Sequence, residues 1–587
     1  MAFNVSEGAS YAVLYSVLAF FTLCAIASGD YFHSCLPAWL NNQFVLRKNT
    51  SETTNGNVNK NVDFFLSARN SATAAQIAFS IFASSMGAWV LYAPTELGAT
   101  PSLSWIAVIG YALASASPAA ISFFLGPIIK ARCTDSSFNF TDFGLQRYGR
   151  LMQVVIGLMG IFYMFIFLVA ELTTISGAYA TIHNDFSDNS YLITIIISLG
   201  AVTILYTSLG GLPASIITDK FQAVLMLILV LTLIFAVSLN PDNRLSEDQF
   251  ARASNWTGEG FMAAVTLVFA ILSAEMFNLS TWQRVWAAKN ERDMKRGFAG
   301  ASILIFLLMM FFGILGMIAY ALDPDAYDAG DKLNFLAFFD ILAPLAPFWH
   351  IVTLILVTAL AASSIDSLQN GIMSALSTDL VQMGWNPKWV ARLLLVILNV
   401  PAVVLSARGY DVLALFLVAD LICATAVLPV FLGLMTEDKG MIPAPTEFGA
   451  LLGIAAGVIT VLVIGLIVDA PGGLFEYFLL PNDAVCALCG FKTMITFIVT
   501  PLSAGLFCLL FSKLDIMCRG ENARAPLLSS CFGTSGGKDY EEGLEKPAME
   551  EAMPEQYREQ HPDDIPVDDI PVVPYKGYDS DDQSVSA

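Results

Sequence analysis

The stretch Ser80-Ile-Phe-Ala-Ser-Ser-Met-Gly-Ala-Trp89 sits in the middle of an apolar run covering residues 72–92. Small residues interrupt the run at its centre, and Gly87 weakens helix there. An unwound turn at this point would free backbone carbonyls to coordinate an ion. A second run, 260–280, ends in Ser273-Ala-Glu-Met-Phe-Asn-Leu-Ser-Thr-Trp282, again polar where its surroundings are apolar. What these interruptions mean depends on whether the runs cross a membrane.

Composition answers that. The chain has 587 residues, 56% hydrophobic and 13% charged, with a mean hydropathy of +0.65. A soluble domain carries about a quarter charged residues. An ordinary soluble enzyme, a disordered chain and a nucleic-acid binder are excluded. Apolar runs recur at 9–28, 72–92, 103–129, 152–181, 191–208, 215–239, 260–280, 298–321, 346–376, 390–407, 411–433, 448–468 and 490–512, which predicts thirteen spans. Crossing the hydrocarbon takes about 20 residues of helix, and helix satisfies every backbone polar group inside lipid. The alternating segments of a membrane β-barrel are absent. Residues 1–46 contain no Lys or Arg and Glu7 is acidic, so 9–28 reads as a span rather than a signal peptide.

Loop charge sets the orientation. With the N-terminus outside, the inside loops hold 17 Lys and Arg, Arg47, Lys48, Lys60, Lys220 and Arg284 among them, against 5 outside. An odd number of spans then puts the C-terminus in the cytoplasm. Asn255-Trp-Thr falls outside, where it is a glycosylation acceptor, and Asn139-Phe-Thr falls inside. Residues 520–587 hold 16 acidic and 5 basic residues and few large apolar ones. Such a tail reads as disordered; a docking site for a cytoplasmic partner is the sharper alternative. Cys486 and Cys489 form a lone C-x-x-C, and the four histidines are scattered, so no metal or nucleophile motif is visible.

Ionisable residues inside spans are functional candidates by default. These are Glu171, Glu275, Asp366 and Asp420. Asp366 lies in Ala361-Ala-Ser-Ser-Ile-Asp-Ser367, where Ser363 and Asp366, and Ser364 and Ser367, share helix faces. Oxygens grouped in this way suit a hard cation such as Na⁺; close packing of small residues is the plainer reading. Ser208-Leu-Gly-Gly-Leu-Pro-Ala…Gln222 reads as a tight inside turn, after which Asp219 opens the sixth span near its N-terminus. The two interrupted runs are five spans apart, as two inverted five-helix repeats require.

Four stretches carry a resemblance. They are Phe65-Leu-Ser-Ala-Arg-Asn70, Gly210-Gly-Leu-Pro-Ala…Thr218-Asp-Lys-Phe-Gln222, Gln283-Arg-Val-Trp-Ala-Ala-Lys289 and Ser363-Ser…Thr378-Asp-Leu380. Over roughly residues 60–435 the chain resembles the sodium:solute symporter family of proline, pantothenate, sugar, iodide, choline and urea carriers. The resemblance implies an all-α polytopic membrane protein of about 13 transmembrane helices with a LeuT-like 5+5 inverted-repeat core. Residues 1–58 would form the first helix and loop, 59–240 and 241–435 the two repeats, 436–519 two peripheral spans, and 520–587 the tail.

It also implies one Na⁺ held by the backbone carbonyls of Ala83, Met86 and Leu360 and the hydroxyls of Ser363 and Ser364, with Asp219 on the ion's inward exit path. Substrate would lie near Trp89, Glu275 and Asn278. Proline symporters of this type carry an acidic residue where Ser85 stands, and Asp366 adds a carboxylate near the ion. The expected function is Na⁺-coupled symport of a small organic solute, proline-like or urea-like, across the plasma membrane, without catalysis. Alternatives are H⁺ coupling through Asp366 and a transporter-derived sensor that signals through the tail.

Overall fold

The computed structural model describes residues 5–27, 64–134, 137, 139–183, 189–382, 387–438, 442–468, 476–479, 488 and 490–527. Arg47, Lys48, Lys60, Cys486, Cys489 and the acidic tail beyond 527 lie outside the described residues.

Nearly all of the described chain is helix. The principal helices are α1 (Glu7–Ala27), α2 (Ala74–Ser85), α3 (Ala93–Ala99), α4 (Ser104–Arg132), α5 (Phe140–Arg147), α6 (Arg150–His183), α7 (Asn189–Leu239) and α8 (Gly258–Glu275). They continue with α9 (Leu279–Ala287), α10 (Glu291–Leu322), α11 (Pro347–Gln382), α12 (Pro387–Ser406), α13 (Val412–Ala424), α14 (Val427–Phe431), α15 (Glu447–Ile467) and α16 (Phe491–Arg519). Among the described residues, nine helices are long and apolar enough to cross a membrane, or eleven if each of two bent pairs is one crossing.

The bent pairs fall at two points. The second span turns by 66° between Ser85 and Ala88, and the eleventh by 47° between Ala424 and Val427. The first break was expected from sequence; the second was not. The seventh span is also interrupted, with Met276 and Phe277 between α8 and its continuation α9, which Asn278 caps.

The tight turn expected at 208–222 is present but takes a single residue. α7 is helical for 51 residues, with one non-helical residue, Gly211 (φ 59°, ψ −157°). A single helix of that length would span about 75 Å, more than twice the hydrocarbon thickness. α7 is therefore two helices joined at Gly211. Positive φ favours glycine there, and a Cβ would lie 2.4 Å from the Phe65 carbonyl oxygen.

α11 is the centre of the bundle: 89% of its most apolar window is buried, against 33% for α1 and α15 at the edge. It packs on α1, α2, α6, α7, α9 and α12. α10 packs on α2, α3 and α4, α8 lies between α4 and α13, and α15 pairs with α16. Side chains such as Phe235, Leu239 and Ile467 are left facing outward, as lipid contact requires.

Two of the sequence stretches that carried the resemblance meet at one end of α2. Asn70 N–H bonds to the Trp286 carbonyl and Lys289 N–H to the Ala72 carbonyl, a short parallel bridge. Gln283 Nε2 donates to the Leu66 carbonyl at 2.9 Å. Lys130 Nζ caps the end of α9, donating to the Trp286 and Ala288 carbonyls and to Asn70 Oδ1, a favourable place for a cation.

Candidate functional site

The broken second span comes first. The helical ladder stops with Met86 N–H on the Phe82 carbonyl. Met86 and Gly87 are extended, and a short 3-10 turn restarts at Ala88–Leu91. The carbonyls from Ala83 to Met86 thus face no following helical turn, the situation of any helix C-terminus. The Ala88 N–H, which a continuous helix would give to Ser84, donates instead to Glu171 Oε2 of α6 at 2.8 Å. A Cβ at Gly87 would fall 1.3 Å from Glu171 Oε1. Gly87 is there because a carboxylate from another helix occupies the space of its side chain.

α11 packs on α2 and on the 3-10 turn after the break, and its Leu360, Ser363 and Ser364 are all buried. The polar residues of its Ser363–Ser367 segment do not form one cluster. Ser363 Oγ donates to Asp219 Oδ1 at 2.7 Å, Ser364 lies beside Glu171, and Ser367 Oγ accepts from Arg284 Nη2 at 2.8 Å. Asp366 faces α7, where Thr207 Oγ1 donates to its Oδ1 at 2.5 Å; Asn370 Nδ2, one turn along α11, donates to the same oxygen at 3.0 Å, and Oδ2 is buried without a partner. A helix buried on every side distributes its polar groups among several neighbours.

Asp219 does not cap the sixth span. It lies well beyond Gly211 and is fully buried. Ser80 Oγ donates to its Oδ2 at 2.6 Å, and Arg284 Nη2 lies 3.1 Å from the same oxygen. Arg284 also donates to Ser80 Oγ at 3.0 Å and to the Ser280 carbonyl at 2.7 Å. Arg284 was counted as an inside-loop charge; it is a buried counter-ion, which leaves sixteen against five and the same orientation. Ser80 lies one helical turn before Ala83, so Asp219 stands beside the proposed ion ligands, toward the start of α2.

On the other side of the break lies a cavity whose lining includes Ser85, Met86, Trp89, Tyr111, Ser115, Tyr163, Phe167, Glu275, Phe416 and Asp420. Its aromatic wall is built by contact: Trp89 and Phe416 meet edge to face at 5.6 Å, and Phe167 and Phe416 meet tilted at 5.0 Å. Glu275 takes a hydrogen bond from Tyr163 OH at 2.6 Å and from Asn278 Nδ2 at 3.0 Å. No ion pair among the described residues engages Glu275 or Asp420. Trp89 Nε1 and Ser115 Oγ are buried without partners. Trp89 and Glu275, the residues expected near substrate, both line the cavity. Asn278 does not: its Oδ1 caps α9 by accepting from Ser280 N–H, and its amide holds Glu275.

Residues 64–457 match the model of the sodium:solute symporter family. The chain belongs to that family. Spermidine transporter DUR31 of Candida albicans (strain SC5314 / ATCC MYA-2876) is 27% identical over 398 residues, covering 66% of this chain and 74% of that protein. Among solved structures, a Na⁺-coupled sialic acid symporter in its substrate-bound outward-open state superposes with a TM-score of 0.64 at 16% identity, covering 86% of this chain and 98% of that one. Mhp1, a nucleobase-cation-symport-1 family transporter in a closed conformation with bromovinylhydantoin, gives 0.50 at 12% identity, covering 77% and 95%. The fold is that of these transporters, and the protein is a multi-pass membrane symporter.

Sequence reasoning on this symporter missed three things. Arg284 was quoted in a motif but given no role; its amphipathic neighbours Gln283 and Trp286 made it look like a loop residue. Asp420 was noted as a carboxylate in a span, yet nothing local says that it shares a cavity with Glu275. The aromatic residues Tyr111, Tyr163, Phe167 and Phe416 carry no signal among so many apolar neighbours.

Proposed function

We propose that this symporter drives uptake of a small organic amine with Na⁺ by alternating access. The observation that carries the substrate class is the cavity in which Glu275 and Asp420 meet an aromatic wall without a described counter-ion. Carboxylates in a low-dielectric space need a cation, and aromatic faces attract ammonium groups. The spermidine specificity in the name of the Candida relative supports the same class. Urea is neutral and leaves both carboxylates unmatched. A proline-like zwitterion brings a carboxylate of its own against them.

The Na⁺ would sit at the break in α2, on the carbonyls of Ala83 and Met86, and on Leu360, Ser363 and Ser364 of α11. Ser363 donates its proton to Asp219, so its lone pairs remain free to face the ion. Asp219 then lies on the way out, toward the start of α2. The core would be two inverted repeats, residues 59–240 and 241–435, within thirteen crossings of the plasma membrane, followed by peripheral spans to 519. The N-terminus would be outside and the tail of 520–587 in the cytoplasm, where a partner can bind it. One charge moving through ~100 mV gains about 2.3 kcal/mol, and a tenfold Na⁺ gradient adds about 1.4 kcal/mol. For a neutral solute this is a few hundred-fold accumulation; a cationic substrate gains further from the potential.

The test is uptake of labelled spermidine, putrescine, proline and urea into vesicles containing the purified protein, with and without a Na⁺ gradient. Accumulation of the amines driven by Na⁺ is expected. Accumulation of urea or proline alone would overturn the substrate class. H⁺ coupling is the second reading, and rests on the buried, unpartnered Oδ2 of Asp366. Accumulation driven by a pH gradient without Na⁺ would favour it, and abolition by Asp366→Asn would assign it. Absence of any concentrative uptake would favour a sensor.

A further inference from the structure

Glu171 has no part in the scheme above. It projects from the middle of α6 and is fully buried. One oxygen, Oε2, is spent on the Ala88 N–H. The other, Oε1, fills the space beside the Gly87 backbone and has no hydrogen-bond partner. Next to it stands the fully buried Ser364 hydroxyl of α11, which approaches the carboxylate without completing a hydrogen bond of good geometry.

A carboxylate oxygen and a hydroxyl thus lie side by side, incompletely satisfied, where α2 has given up its helical hydrogen bonds. One is a carboxylate, whose burial without compensation is among the more costly arrangements in a protein. A helix cap alone would explain Oε2 and leave Oε1 idle. A monovalent cation between Oε1 and Ser364 Oγ, within reach of carbonyls freed by the break, satisfies both.

We propose that Glu171 is a ligand of the coupling cation and supplies the negative charge of its site. This rests on the reading that Na⁺ binds at the break in α2. The carboxylate arrives from α6, beside a second span that carries only Ser84 and Ser85 there. Glu171 therefore ties three elements to one ion: α6 by its backbone, the second half of the broken span through Ala88, and α11 through Ser364. Cation binding would lock these against one another, and gives a physical route from ion to cavity, because Met86 and Trp89 on the same broken segment line it.

The experiment measures ²²Na⁺ binding to the purified full chain, together with the Na⁺ dependence of spermidine uptake. E171Q keeps the size of the side chain and an oxygen for Ala88 N–H but removes the charge. Its half-saturating Na⁺ should rise about ten-fold or more, while KM for spermidine at saturating Na⁺ stays within about two-fold. E171D, which keeps the charge, should bind ²²Na⁺ better than E171Q. If E171Q does not purify, G87A serves, because its methyl would displace Oε1; it should weaken ²²Na⁺ binding as well. Wild-type ²²Na⁺ binding by E171Q, or by G87A in its place, would reduce Glu171 to a helix cap and overturn the proposal. A wild-type protein that binds no ²²Na⁺ would overturn it together with the coupling-ion reading.

Discussion

Two buried acidic regions of this symporter are built in opposite ways. Around Asp219 the protein supplies its own cation, and Arg284, Ser80, Ser363 and Ser367 complete a closed network with no exposed side chain. Around Glu275 and Asp420 it supplies aromatic rings, the Tyr163 hydroxyl and the Asn278 amide, and no described cation. A carboxylate with a built-in guanidinium holds helices together; a carboxylate without one waits for something mobile. The difference predicts that the same chemical change, removing one carboxylate, has opposite consequences in the two places.

The largest effect belongs to the closed network. Asp219→Ala leaves Arg284 buried and unpaired, and should cost about 3–5 kcal/mol of stability, read as a lowered thermal midpoint in detergent. Adding Arg284→Met should return most of that stability. A loss below about 1 kcal/mol would mean that water reaches the pair and the comparison fails. Asp420→Asn removes a carboxylate that has no ion-pair partner among the described residues. Stability should hold within about 1 kcal/mol or rise, while apparent affinity for spermidine falls about ten- to a hundred-fold. A large stability loss with unchanged uptake would make the cavity carboxylates structural.

A smaller effect sharpens the contrast. Gly87→Ala should lower uptake severely in the wild type. In a Glu171→Ala background the added damage should be much less, because the colliding carboxylate is gone. The smallest effect sets the scale. Lys332 and Asp323 pair at 2.8 Å on the surface, and Lys332→Ala should cost less than about 0.5 kcal/mol. The hydrogen bond from Lys332 holds the Asp323 carboxyl below its ordinary value. Its contribution is therefore present above the unfolded value and lost as pH falls through the folded one, which a pH series of thermal midpoints on wild type and Lys332→Ala would read.

How far the sequence reached follows from particular residues. The breaks in the second and seventh spans were legible because Ser84-Ser85-Met86-Gly87 and Glu275-Met-Phe-Asn278 are polar or small inside apolar runs, and helix continuity is a local property. The break between Ala424 and Val427 was not, because Thr425 alone is a weak signal. The turn around Gly211 was half right: glycine is needed for its positive φ, but one residue suffices where a loop was expected. Ser363, Ser364 and Asp366 were recognised as polar residues in a span. That they meet Asp219, Glu171 and Thr207 was not legible, because those residues lie on other helices far along the chain.

Composition and periodicity settled that the chain spans a membrane in helices, since lipid accepts no other open backbone, and local polarity settled where two of those helices come apart. Which charges neutralise each other was decided only when the helices packed. Arg284 became a counter-ion rather than a loop charge, Glu171 came to fill the space of a missing side chain at Gly87, and Asp420 came to share a cavity with Glu275. Coulomb and hydrogen-bond energies act over a few ångströms of space, and the distance between two residues of different helices is a property of the packed bundle.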